Sequence, residues 1–310
     1  MISHFCQFSR LHSLSIEKNI SYPVKKGKRR TKSVRCIAVD PNIKLNTSQI
    51  ERLSSRFKVI TKWSSGMEVE GLLVHSPLSA EFLKSIKGLK WIVIRAKNLD
   101  YVPDSLGLKV VGIPSLGSAS VSEHVFGLIL GLYKQTIQSH HNVQAGLWRE
   151  GLPPNRELAG KTLGIIGYGT IGKQVAEIAK GFRMEISFVT TTIGSLEETL
   201  RKSDIVTLHV IGPTVKNLIS SPQLAMMKKS AILINTSRGY CLDQEALLNA
   251  LDNNLIFAAG LDVFAEEPFD NENRLANHPR ILCSPHTGFW TEETLDKMNE
   301  ALINRVLSDE

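Results

Sequence analysis

Residues 160–172 read Gly160-Lys161-Thr162-Leu163-Gly164-Ile165-Ile166-Gly167-Tyr168-Gly169-Thr170-Ile171-Gly172. An apolar run at 163–166 breaks into three glycines spaced G-x-G-x-x-G, and apolar residues resume at helical spacing with Val175, Ile178 and Ala179. Strand, tight turn and helix start in that order form the context in which this spacing holds a dinucleotide. Gly167 permits the turn, Gly169 keeps a Cβ away from the pyrophosphate, and Gly172 lets the helix lie against the strand. The helix then presents unpaired N–H groups and the positive end of its dipole to the phosphates.

Outward from this motif, strands and helices alternate. Strands are predicted at 34–40, 58–61, 71–74, 91–94 and 109–112, with helices at 48–55 and 80–86. Further strands follow at 186–189, 205–208, 231–235, 258–263 and 280–283. Helices are expected at 195–201, after Ser221-Pro222, after Asp243 and from Thr291. Alternation at this pace indicates βαβ units and parallel sheets. Ser120-Val121-Ser122-Glu123 has capping-box spacing and predicts a helix beginning at Ser120. That helix is apolar round much of its circumference (Val125, Phe126, Leu128, Ile129, Leu130, Leu132), which predicts burial at a domain or subunit junction. The expected fold is α/β: a doubly wound parallel Rossmann sheet with a second, smaller α/β domain. The domains expected are 36–113 with 285–310, the substrate domain, and 114–284, the dinucleotide domain.

The formal net charge of +7 is misleading. Residues 1–35 hold nine Lys/Arg and one acid, Glu17, so the body carries 28 basic and 29 acidic residues. A neutral body does not imply a nucleic-acid partner. No apolar run approaches the roughly 18–20 residues of a membrane span. The leader is rich in Ser, Lys and Arg and nearly free of acid, the composition of an organelle transit peptide. Val34-Arg35-Cys36 looks like a plastid processing site, which predicts the plastid (chloroplast) stroma, with mitochondrion or cytosol as the alternatives. The cluster 25–30 could instead be a nuclear signal or a solvated tail. The four cysteines are far apart and suggest neither a metal site nor a disulfide framework.

Three segments fall at predicted strand ends, where a doubly wound sheet presents its ligand crevice: Asn235-Thr236-Ser237-Arg238-Gly239; residues 260–268, with Asp262 and Glu267; and Ser284-Pro285-His286-Thr287-Gly288. A guanidinium, a carboxylate and an imidazole thus share one crevice with a dinucleotide. Reduction of a 2-oxo acid calls for that set. A bidentate cation binds the carboxylate and polarises the carbonyl. A general acid protonates the new alkoxide, and a carboxylate orients that acid and keeps its proton available.

The blocks 160–169 and Ser203-Asp204-Ile205-Val206-Thr207-Leu208-His209, with these three segments in this order, resemble the D-isomer-specific 2-hydroxyacid dehydrogenase family over about residues 36–305. The resemblance implies a smaller domain of flavodoxin-like fold and an oxidoreductase using NAD or NADP. It also implies a small 2-oxo/2-hydroxy acid substrate and a homodimer. The alternatives are a dinucleotide-binding regulatory protein without turnover, or a dehydrogenase of formate or phosphite type. By the same resemblance Arg238 binds and polarises substrate, His286 is the acid/base and Glu267 its partner. Gly167, Gly169, Thr170, Ile171 and Gly172 meet the pyrophosphate, and Thr236 and Asp262 the nicotinamide side. Thr190, His209, Ser237, His286 and Gly288 complete the implied cofactor contacts. Lys97 and Asn98 fall in the loop that holds the substrate carboxylate.

Two departures bear on this reading. Asn98 stands where the family usually has glycine, and Lys97 adds a cation that predicts a preference for anionic substrates. Thr190-Thr191-Thr192 stands where an acid normally holds the ribose 2′-hydroxyl. Only residues 190–204 separate two predicted strands, too few for the about 30 residues of a strand–helix–strand unit, so an edge strand is expected to be missing.

Overall fold

The computed structural model describes residues 35–308 except 98, 100–101, 104–106 and 270–271. The leader at 1–34 and Asn98 therefore lie outside the described residues. In the first half, β1 (Cys36–Val39), α1 (Thr47–Ser54), β2 (Lys58–Ile60), β3 (Gly71–Val74), α2 (Ala80–Ser85), β4 (Trp91–Ile94) and β5 (Lys109–Gly112) follow one another. The strands form one sheet in the order β2-β1-β3-β4-β5, every pair parallel. Leu72, Leu73, Val74, Ile92 and Ile94 are fully buried, the continuous apolar reading of strands covered on both faces. Asn46 caps α1 through its side chain, with Gln49 reaching back to complete a capping box, and Ser79 caps α2.

The chain then crosses to a second sheet through 113–117. Here α3 (Ser118–Tyr133) and α4 (Thr136–Gln144) are separated by Gln135 in the left-handed region at φ +48°. The second sheet holds β6 (Thr162–Ile166), β7 (Glu185–Val189), β8 (Ile205–Leu208), β9 (Ile232–Asn235), β10 (Ala258–Leu261) and β11 (Ile281–Cys283). Its order is β7-β6-β8-β9-β10-β11, again wholly parallel. One face carries α3 and α5 (Thr170–Gly181), through Val125, Phe126, Ile129, Val175 and Ala179. The other carries α6 (Leu196–Lys202), α7 (Ser221–Met226) and α8 (Gln244–Asp252), through Leu200, Leu224, Leu247 and Leu251. Strand order reverses between β6 and β8, and the crevice outside their carboxyl ends is where such sheets bind ligands.

After β11 the chain returns to the first sheet as α9 (Glu292–Ser308). Met298, Leu302, Ile303 and Val306 line one stripe of α9 and are buried with Ile37, Leu53 and Leu73. At roughly 1.5–3 kcal/mol for each buried side chain, this stripe accounts for the return. Gln49 and Arg52 of α1 reinforce it by donating to Glu300 at 3.1 and 2.6 Å.

One expectation needs correcting. Helix α3 begins at Ser118 with Gly117 as N-cap, so Ser120 is not a cap. Its hydroxyl instead donates to the Gly288 carbonyl at 2.6 Å, a tertiary partner three residues of sequence cannot announce. The expected burial of α3 is met: Val125, Phe126, Leu128 and Ile129 pack against α5 and the second sheet. The segment between β7 and β8 holds only α6, and among the described residues no strand lies outside β7. No described helix is long and apolar enough to cross a membrane, and no described cluster of His, Cys, Asp and Glu could hold a metal ion.

Candidate active site

The glycine motif sits at the switch point between β6 and β8. Gly167 turns at φ +99°, and a Cβ there would lie 2.4 Å from the His209 carbonyl oxygen that ends β8. A Cβ on Gly172 would lie 2.3 Å from the Gly167 oxygen, so the helix could not close on the strand. Gly169 is different: nothing lies within 4 Å of its missing side chain, and it caps α5 without any side-chain hydrogen bond. The first turn of α5, Thr170 and Ile171 included, thus opens onto free space with uncapped N–H groups. Nδ1 of His209 and Oγ1 of Thr236, at the ends of β8 and β9, are buried without a hydrogen-bond partner among the described residues. An anion cradle flanked by unsatisfied polar atoms fits a nicotinamide dinucleotide, with Gly167–Gly172 on the pyrophosphate.

The far end of this cradle fits less closely. Thr190 folds back on its own turn, its hydroxyl accepting from Ile193 N at 2.9 Å and Thr192 N at 3.2 Å. No carboxylate stands there to claim a ribose hydroxyl or to repel a 2′-phosphate.

Arg238 follows β9 on a turn that Asn235 organises. The Asn235 side chain donates to Arg238 O at 2.9 Å and accepts from Ser237 N and Oγ at 3.1 and 2.9 Å. Gly239 brings this turn against the loop after β10, on which Glu267 rides. Glu267 accepts Phe264 N at 2.7 Å through Oε1 and meets Nδ1 of His286 at 2.7 Å through Oε2. Burial raises the Glu267 pKa, but the bonds from His286 and Phe264 N, with the charges of His286 and Arg238, outweigh it and hold the carboxyl below its ordinary value. An ionised Glu267 fixes Nδ1 of His286 as a donor and leaves Nε2 as the nitrogen that can face a reacting oxygen. His286 itself is in the left-handed region at φ +55°, an uncommon conformation for a residue with a side chain.

The structure therefore brings Glu267 and His286 into contact and sets the Arg238 charge beside them. It places Lys97 as an exposed residue at the end of β4, its carbonyl packed near Gly112. Three residues expected against the cofactor are tied into the protein by their own bonds and contacts. Ser237 spends its hydroxyl on Asn235. Asp262 is 2 % exposed and its two oxygens accept from Ser284 Oγ, Thr287 N and Gly288 N. Gly288 is enclosed by Asp262 and His124. Burying a carboxylate is tolerable only with such donors around it, which is why Asp262 turns inward.

Sequence reasoning missed His75, at the end of β3. Its ring lies 5.9 Å from those of both Phe289 and Trp290, and the His286 ring is also 5.9 Å from Phe289. A histidine one residue past a buried strand carries no local mark of this, because the rings beside it come from more than 200 positions away.

Burial pushes the His209 pKa down to about 4. The folded value is below the unfolded 6.5, so the unfolded chain takes up the proton first. The stability is intact above pH 6.5 and is lost as pH falls toward 4. We expect the thermal midpoint to fall more steeply between pH 7 and pH 5 in the wild type than in His209→Gln. The difference corresponds to on the order of 2 kcal/mol. Identical slopes would contradict it.

A family model, D-isomer specific 2-hydroxyacid dehydrogenase, NAD binding domain, matches residues 126–288. The chain is similar to glycerate dehydrogenase of Methylorubrum extorquens, 36% identical over 247 residues, covering 74% of this chain and 79% of that one. It is also similar to glyoxylate reductase of Aeropyrum pernix, 38% identical over 264 residues, covering 77% and 79%. A solved structure of the pyruvate reductase of Chlamydomonas reinhardtii superposes with a TM-score of 0.72 at 27% identity, covering 89% of this chain and 97% of that one.

Proposed function

The chain belongs to the D-isomer specific 2-hydroxyacid dehydrogenase family, and we propose from its own site that it reduces glyoxylate- or hydroxypyruvate-like 2-oxo acids to D-2-hydroxy acids. It is an NAD(P)-dependent oxidoreductase acting on CH–OH groups. The observation that carries the chemistry is the 2.7 Å pair of Glu267 and His286 with the Arg238 charge beside it, on strand ends next to the glycine cradle. When bound, the dinucleotide supplies or takes up hydride at the substrate's C2. Arg238 holds the substrate carboxylate and draws electron density toward the carbonyl oxygen. Nε2 of His286 delivers a proton to that oxygen as it becomes an alkoxide, and Glu267 stabilises the imidazolium that supplies it. In the oxidative direction neutral His286 takes the same proton back. Lys97 favours substrates with an additional negative charge.

The test is oxidation of NADH and of NADPH with glyoxylate, hydroxypyruvate and pyruvate. Turnover with none of them would overturn the proposal and favour the regulatory reading, to which the pared-down adenosine end lends its one argument. The same end predicts comparable use of both coenzymes. Thr190→Asp restores a carboxylate at the strand end, and its kcat/KM ratio for NADH over NADPH is expected to rise about tenfold or more. An unchanged ratio would mean that Thr190 does not meet the ribose.

We extend the proposal to a homodimer and a plastid address. Ile137, Val143, Leu147 and Trp148 are 45–69% exposed on α4 and just beyond it, an apolar surface suited to a second copy. A monomer in sedimentation would remove that part. The basic, acid-poor residues 1–35 support the plastid address, and a fusion of that leader to a fluorescent reporter that stayed in the cytosol would refute it.

A further inference from the structure

The acid/base histidine sits on a segment with no regular structure, between β11 and α9, in a backbone conformation that must be imposed from outside. Part of the constraint comes from the second sheet. Asp262 O accepts His286 N at 2.8 Å, and the Asp262 carboxylate accepts Ser284 Oγ at 2.6 Å, Thr287 N at 2.9 Å and Gly288 N at 2.9 Å. The rest comes from α3. Nε2 of His124 lies 2.8 Å from Ser284 Oγ and 3.3 Å from Asp262 Oδ1. One turn earlier, on the same face of the helix, Ser120 Oγ donates to Gly288 O at 2.6 Å. The single hydroxyl hydrogen of Ser284 goes to the carboxylate, so Nε2 of His124 is the donor in its pair with Ser284.

We propose that Ser120 and His124 are positioning residues for His286: from α3 they hold the two ends of the 284–288 segment, which Asp262 grips along its length, and so set the 2.7 Å contact of His286 with Glu267. The inference rests on His286 being the acid/base. Both α3 residues lie just after the chain crosses from the first sheet to the second, and the 284–291 segment is its way back. The two crossings touch here, a Cβ on Gly117 falling 3.1 Å from Phe289 Cβ. The proton-transfer geometry is thereby fastened to the junction between the sheets.

Among the described residues, groups that face His286 include Glu267, the Arg238 charge beyond it and His75 across Phe289, none of which the variants below alter. In the full-length enzyme, Ser120→Ala and His124→Leu are each expected to lower kcat for reduction about tenfold. The KM for the 2-oxo acid and the dissociation constant of NADH stay within about twofold. His124→Gln, whose amide nitrogen can donate where Nε2 does, recovers most of kcat. Should His124→Leu fail to fold, Ser120→Ala, the smaller change, decides the matter. A lower thermal midpoint with unchanged kcat would show a merely structural role and overturn the proposal. So would no recovery with glutamine. Failure of the acid/base reading looks different: His286→Gln would then still turn over.

Discussion

His286→Gln is expected to lose turnover while binding NADH as the wild type does. Nδ1 of His286 is committed to Glu267 at 2.7 Å, so the proton delivered to substrate leaves from Nε2, which glutamine replaces with a group that cannot give up a proton near neutral pH. Loss of a general acid typically costs about 10²–10⁴ in rate, and kcat for glyoxylate or hydroxypyruvate reduction should fall within that range. The dinucleotide cradle is built on β6, Gly167 and α5, and no bond of the His286 side chain supports it. Fluorescence titration with NADH should therefore return an unchanged dissociation constant. Stability should change little as well, since the imidazole is about a third exposed. A variant that keeps kcat within threefold of wild type would remove His286 from the chemistry. A variant that loses NADH binding with turnover would make its role one of assembly.

Legibility in the sequence followed how local the cause was. Buried parallel strands write themselves as largely apolar runs, so 71–74, 91–94 and 205–208 match β3, β4 and β8 residue for residue, and the half-buried edge strand β5 matches 109–112. The glycine motif is equally local, because turn, helix start and close approach all fall within six residues. From the residues alone, Glu267 and His286 were legible as two groups at strand ends; the family resemblance coupled them, and the fold brings them to 2.7 Å. What stayed hidden depends on partners far along the chain. Ser120 has the spacing of a cap but finds Gly288, and nothing beside Asp262 in the sequence announces its three donors in 284–288. Helix α4 is polar along most of its length, with Asn142 its one buried residue, and so carries no apolar period to read.

Gly239→Ala should be among the most damaging single-methyl changes in the chain. Gly239 has no positive φ, so nothing about its own backbone demands glycine. The demand comes from contact. A Cβ there would lie 1.9 Å from Phe264 C, 2.0 Å from Phe264 O and 2.3 Å from Ala265 N. These are main-chain atoms, and no rotamer change can clear them. The turn carrying Arg238 must therefore draw away from the loop carrying Glu267 by an ångström or more. Overpacking of this kind costs about 1–3 kcal/mol, which thermal unfolding would register as a lowered midpoint. The catalytic loss should be larger in proportion, because a misplacement of about 1 Å costs about 10² in rate even when every group survives. Gly169→Ala makes the contrast. The added methyl meets nothing within 4 Å, so stability should hold, while the approach of the pyrophosphate to the backbone is obstructed and NADH binding weakens. Two glycine-to-alanine changes would then fail in opposite ways, one through the protein's own packing and one through its cofactor. Wild-type stability and activity in Gly239→Ala would mean that Arg238 and Glu267 are not held together through this contact, and that the site is assembled by some other path.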